Sequence, residues 1–164
     1  MDAHCIRSRR HSRPEYAPQD TCIIATIMTP YLINLRQEDW IRMREHVLSC
    51  LPEEACGLLG GIGDQVHLVV PITNRDRRPS RYRMDPQEQV RAMLHMEDLG
   101  YQILGIYHSH PLGPSHPSGA DTKEVTYPEA AHLIWSPREE GWRCRAFDLS
   151  SKPAREIPIS ILGD

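Results

Sequence analysis

The sequence predicts one mixed α/β domain, a sheet layer packed with helices. Three observations carry that expectation. Apolar runs of strand length alternate with stretches of helical period. One mid-chain helix has both start and stop signals. The chain of 164 residues is also long enough to bury a core without disulfide or metal staples.

"YLINLRQEDWIRMREHVLSC" opens as a short extended piece and becomes a helix over about Arg36 to Cys50, with Trp40, Met43, Val47 and Leu48 at helical spacing; Pro52 ends it. "ACGLLGG" and "QVHLVVPI" flank a turn at Gly63 and Asp64 and read as a hairpin. An arginine-rich loop follows. "DPQEQVRAMLHMEDLG" has Asp85 as N-cap, Pro86 at the first helical position, Glu88 at the capping-box position and Gly100 as the stop. Its apolar stripe is Val90, Met93, Leu94 and Met96. "YQILGIYHSH" and "AAHLIWS" read as buried strands, and "GWRCRAFDL" and "AREIPISIL" alternate as half-exposed strands do. Residues 1–28 match no hydrophobic period and are expected to be a disordered N-terminal extension, with Met28 a candidate initiator; the domain is expected over 29–164.

Composition excludes several classes. A formal charge of −3 gives no global field for nucleic acid or an anionic membrane. The apolar run "CIIATIM" is too short to span a bilayer. Five scattered cysteines without a C-x-x-C give neither a disulfide framework nor a thiolate zinc knuckle, so reduced thiols and a cytoplasmic location are expected. Cys56 and Cys144 are expected to fill core volume.

"YHSHPLGPSHPSGAD" holds the densest chemistry. On a strand, residues two apart share a face roughly 6.5 Å apart, so His108 and His110 can lean toward one point. An isolated H-x-H is also what two surface polar residues on a loop look like. "SGAD" likewise reads as a capping box of Ser118 and Asp121, or as a carboxylate that completes a His, His, Asp set with one position open. Cap and ligand roles are compatible. Glu53 and Glu54 lie between a helix and an apolar strand, where acids have no packing reason to be; Glu53 reads as a solvated turn residue.

"PEEACGLLGG", "YHSHP" and "PSGAD" together resemble the JAMM (MPN+) metallopeptidase pattern, an upstream glutamate followed by H-x-H-x7-S-x2-D. The resemblance covers about residues 30 to 162 and includes "RYRMDPQEQ" and "YPEAAHLI". It implies an MPN/cytidine-deaminase-like layer of mixed, curved β-sheet packed with about three helices. It further implies one zinc ion (Zn2+) per chain on His108, His110 and Asp121, Glu54 as general acid/base, and Ser118 steadying the oxyanion. His116 reads as a solvated loop residue.

The activity so implied is zinc-dependent hydrolysis of a peptide or isopeptide bond at the C-terminal tail of a ubiquitin-like or sulfur-carrier protein with a Gly-Gly end. The short stretch after Asp121 points to the minimal prokaryotic single-domain form. An extended tail would add as a strand along an edge near residues 73 to 83. There Arg78 and Arg81 are candidate substrate contacts, although a solvated charged loop has the same composition. Apolar residues on the first helix allow a homodimer. The alternative is a non-catalytic MPN scaffold, which normally lacks some ligand positions; all five stand here. A zinc nucleobase deaminase would need a glutamate two residues after the histidine and a later P-C-x-x-C, and has neither.

Overall fold

The computed structural model describes residues 32–163, so the extension expected over 1–28, with Cys5, Cys22 and Met28, lies outside the described residues. The chain begins as β1 (Ile33–Arg36) and turns at once into α1 (Gln37–Ser49), within a residue of the expected helix at each end. No side chain caps α1. Instead Arg36 grips the buried Asp39 through two bonds of 2.7 and 2.9 Å, which places an ionised carboxylate at the positive helix end. Hairpin β2 (Cys56–Ile62) and β3 (Gln65–Ile72) forms as expected, with Gly63 at φ +64° in the turn.

Helix α2 (Pro86–Asp98) starts on Asp85, whose side chain accepts from the Gln87 and Glu88 amides. Two expectations for it are corrected. Glu88 does not close a capping box on Asp85; its carboxylate accepts from the Thr73 amide (2.7 Å) and hydroxyl (3.1 Å), tying the helix to the end of β3. The buried ridge is Ala92 and Met96, whereas Val90 (55% exposed) and Leu94 (56%) face outward. Gly60 sets that rotation, because a Cβ there would meet the Met96 side chain at 3.0 Å.

The remaining elements are β4 (Gln102–Ser109), α3 (Gly119–Lys123), β5 (Ala131–Pro137), β6 (Trp142–Asp148), β7 (Arg155–Ile157) and β8 (Ile159–Leu162). The last expected strand is in fact two, divided at Pro158, whose missing N–H interrupts a ladder. All eight strands form one mixed sheet in the order β7-β6-β5-β4-β2-β3-β1-β8. Its two edge strands are separated in the chain by Pro158 alone, so the sheet curls until its edges approach each other, and the Pro158 carbonyl accepts from Ile33. Met43 and Val47 of α1 pack on one face with Ile33, Leu133, Trp135 and Ile157. On the other, Ala92 and Met96 of α2 cover Cys56, Leu58, Ile72 and Ile106. Among the described residues no helix is long and apolar enough to cross a membrane.

Gly57 lies where β2 runs tightest: a Cβ would stand 2.4 Å from the Tyr107 ring and 2.5 Å from the Val70 carbonyl oxygen. Gly57→Ala should therefore lower unfolding free energy by about 1–3 kcal/mol in a denaturant titration. Gly119→Ala, with open space around its Cβ, should leave it nearly unchanged. Equal effects would mean that backbone freedom and not packing governs both sites.

Candidate metal centre

Strand alternation aims the histidines. Ile106 packs with the α2 cluster and Tyr107 with the α1 cluster, so His108 returns to the α2 face. In the antiparallel β2/β4 register Cys56 pairs with His108. Continuing that register by two residues sets Glu54 across from His110, and the Ser109 amide donates to Ala55 O at 3.0 Å on the way. The His110 amide is fixed to Trp135 O on β5 at 2.8 Å. The site thus lies at the carboxyl end of β4, between an antiparallel neighbour and a parallel one.

Asp121 arrives from α3. Ser118 Oγ accepts from the Asp121 amide (3.2 Å) and the Asp121 carboxylate accepts from the Ser118 amide (2.6 Å), the reciprocal capping box that the sequence allowed. The same carboxylate lies 3.3 Å from His108 Nε2 through Oδ1 and 3.3 Å from His110 Nε2 through Oδ2; the two Nε2 atoms are 3.0 Å apart. One ligand atom from each of the three residues lies within 4.8 Å of the others, and two imidazoles with one carboxylate are the donor types that a tetrahedral cation with an open position takes. His110 Nδ1 donates to Pro114 O at 2.8 Å, which leaves its Nε2 lone pair for a ligand. His108 Nδ1 is buried without a partner among the described residues, and its ring is instead stacked by Tyr82 at 4.6 Å.

Burial opposes ionisation of Asp121, but hydrogen bonding to His108, His110 and Ser118 holds its carboxyl well below the ordinary carboxylate range. Burial pushes His108 down, while the contact with Asp121 overcomes burial to raise His110. Glu54 is 4% exposed, and burial pushes its carboxyl up to about 7, with His110 lowering it and Asp121 raising it. It is therefore within electrostatic reach of the donor set. A cavity of about 490 Å³ adjoins these groups, bordered by Glu54, Arg81, Tyr82, His110, Asp121 and His132. Burial keeps the His132 imidazole neutral, pushed down to about 4.

The structure brings together five of the seven site residues read from the sequence: Glu54, His108, His110, Ser118 and Asp121. Arg81 borders the cavity, ion-paired to Glu124 (3.3 Å) and Asp76 (3.5 Å). Arg78 joins through its main chain, where its carbonyl accepts from the Glu54 amide at 2.9 Å; its side chain is exposed and does not border the cavity. His116 is exposed, as expected. Sequence reasoning missed Asn74, Ser109 and Tyr82. Asn74 carried a signal, since asparagine is a poor strand residue standing at the end of an apolar strand.

This arrangement, a His, His, Asp donor set beside a buried glutamate on a curled mixed sheet, defines a metallohydrolase-type site. Prokaryotic homologs of the JAB domain, as a family, match residues 36–149, and the chain belongs to that family. It is 31% identical over 137 residues to the CysO-cysteine peptidase of Mycobacterium tuberculosis (strain ATCC 25618 / H37Rv), covering 82% of this chain and 94% of the relative. It is 32% identical over 121 residues to the desampylase of Haloferax volcanii, covering 72% and 85%. The solution structure of protein DSY2949 from Desulfitobacterium hafniense shares 35% identity and a TM-score of 0.72, over 80% of this chain and 94% of that one.

The raised Glu54 carboxyl has a consequence for stability. Its folded value lies above its ordinary one, so stability is fully present at low pH and is lost as pH rises through about 7. In metal-free protein Glu54→Gln should melt above wild type at pH 8, and the gap should close as pH falls toward 4.5. Thermal unfolding across that range checks it; a gap independent of pH would show that ionisation of Glu54 is not what burial opposes.

Proposed function

We propose that the chain is a JAMM-type zinc metallopeptidase. It hydrolyses the peptide or isopeptide bond that follows the C-terminal Gly-Gly tail of a ubiquitin-like or sulfur-carrier protein. One observation carries the reading: one ligand atom from each of His108, His110 and Asp121 lies within 4.8 Å of the others, beside a buried carboxyl raised to about 7. Relatives named CysO-cysteine peptidase and desampylase support the hydrolase class.

His108, His110 and Asp121 would hold one zinc per chain. When bound, zinc supplies Lewis acidity toward a carbonyl and toward water. Glu54, whose carboxyl burial raises to about 7, takes a proton from the attacking water and returns it to the leaving nitrogen, since such a group is available in both forms near neutral pH. Ser118 Oγ accepts from the Asp121 amide, which leaves its own proton to donate to the oxygen that gains charge in the transition state. Arg81, at the cavity border, meets acidic groups flanking the substrate tail, and Arg78 contributes its carbonyl to Glu54. The free thiols Cys50, Cys56 and Cys144 accord with a reducing cytoplasm.

Purified protein should carry about one zinc per chain by elemental mass spectrometry. Glu54→Gln should keep the metal and lose about 10²- to 10⁴-fold in kcat, while Asp121→Ala should bind zinc more weakly. The probe is a ubiquitin-fold sulfur-carrier protein with one cysteine added after its Gly-Gly end, and cleavage is read by intact mass. A fully active Glu54→Gln enzyme would mean that another group is the base, and full zinc retention by Asp121→Ala would remove Asp121 from the ligand set.

With the same probe Arg81→Gln should raise KM and leave kcat nearly unchanged, whereas Arg78→Gln should alter neither. Unchanged kinetics in both variants would take the arginine side chains out of substrate binding.

A further inference from the structure

Between β3 and α2 the arginine-rich segment carries one buried polar side chain that the proposed chemistry does not use, Asn74. Its carboxamide has two donors and two acceptor lone pairs, and all four are engaged. Nδ2 donates to Glu54 O at 2.9 Å and to Arg81 O at 3.1 Å. Oδ1 accepts from the Asp76 amide at 3.1 Å and the Arg83 amide at 3.0 Å. The main chain folds the segment back on itself, with the Arg75 amide on Arg83 O at 2.8 Å and isolated bridges joining Asn74 to Met84 and Arg78 to Arg81.

This hairpin holds Glu54 at both of its main-chain groups. The Glu54 amide donates to Arg78 O, and the Glu54 carbonyl accepts from Asn74. Such a hold is needed because Glu54 precedes the first residue of β2 and has no ladder partner of its own. On its other side the next residue is fixed by Ser109, whose Oγ accepts from the Ala55 amide at 2.9 Å. The peptide bearing the glutamate is therefore pinned between the His-x-His strand and the arginine hairpin. Only a carboxamide of this length satisfies the hairpin side: aspartate keeps the acceptors and loses both N–H donors, and an apolar residue leaves four main-chain groups without partners.

We propose that Asn74 is a positioning residue of the peptidase, which sets the placement of the Glu54 carboxylate by holding the Glu54 carbonyl and locking the arginine hairpin to it. The inference rests on Glu54 acting as the general acid/base. Because the same amide also holds Arg81 O, the base and the cavity border that meets substrate are fixed as one unit.

Asn74→Asp and Asn74→Ala, alone and combined with Glu54→Gln, test this in the zinc-loaded enzyme with the cysteine-extended carrier as probe. Expected for Asn74→Asp are wild-type zinc content and a kcat lower by on the order of 10- to 100-fold, with KM little changed. In the Glu54→Gln background the same substitution should cause little further loss, since both act through one group. Amide hydrogen exchange reads the hold without turnover. In Asn74→Asp the Glu54 amide should exchange faster while those of Asp76 and Arg83 stay protected; in Asn74→Ala all three should speed up. Wild-type kcat, an effect on KM alone, or a full multiplicative loss on top of Glu54→Gln would overturn the proposal. If Glu54→Gln proves fully active, the assignment of the base fails, and unchanged exchange at the Glu54 amide would then be what overturns the hold by Asn74. Should Asn74→Ala not fold, Asn74→Asp carries every comparison.

Discussion

The pairing of Cys56 with His108 across β2 and β4 is the constraint on which the site depends. Strand side chains alternate with a period of two, so a slip of one residue would turn His108 and His110 into the α1 cluster and Tyr107 out toward the cavity. Several features oppose that slip. Tyr107 fills the space above Gly57, and its hydroxyl meets His46 Nδ1 at 2.9 Å. Ala55 and Ser109 exchange two further bonds just past the last ladder pair. The register that buries Tyr107 thus aims His108 and His110 and also sets Glu54 opposite His110.

Helix α3 is placed by different means. It buries none of its residues, so apolar packing cannot dock it. Its order comes from polar contacts: the capping box of Ser118 and Asp121, the approach of Asp121 to both histidines, and Arg81 on Glu124 at its end. The segment before it is tied similarly, by His110 on Pro114 O and Arg145 on Ser115 O at 3.2 Å. A cation held at His108, His110 and Asp121 would therefore be linked to the ordering of this whole connection, because Asp121 serves the helix cap and the His, His, Asp cluster with one carboxylate.

Legibility in the sequence divides along the same line. The His, His, Asp cluster was readable because its spacing is local: two histidines on one strand face, and a serine and an aspartate in a cap. Helix α2 was readable at its ends, where Asp85, Pro86 and Gly100 act on the nearby backbone, but not around its circumference. Which of its apolar residues face inward depends on Gly60, a residue of a distant strand that admits Met96. Glu88 shows the same limit, since the capping-box position is local while Thr73, its actual partner, is brought near only by the sheet. Asn74 and Ser109 went unread because their partners are main-chain groups, which have no signature in the sequence. "AREIPISIL" was read as one strand, and that the flanks of Pro158 pair on opposite edges of a curled sheet follows only from the complete strand order.

Two carboxylates act on His110 and are driven apart in their protonation. Asp121 is held ionised by hydrogen bonds from two imidazoles and a backbone amide, which outweigh its burial. Glu54 has no comparable donors, and burial together with the charge of Asp121 outweighs the attraction of His110. Divergent environments of this kind separate roles: a carboxylate that stays charged suits a cation, and one poised near neutrality suits proton transfer. The separation is not intrinsic to either residue type, because an aspartate and a glutamate differ little in water. It arises from where the backbone delivers each one, Asp121 at a helix start where amides point at it, and Glu54 at a strand start where amide and carbonyl are already committed to the hairpin. The hydrogen bonds that immobilise the Glu54 backbone use its amide and carbonyl, while its side chain borders the cavity, an arrangement suited to a group that takes and returns a proton.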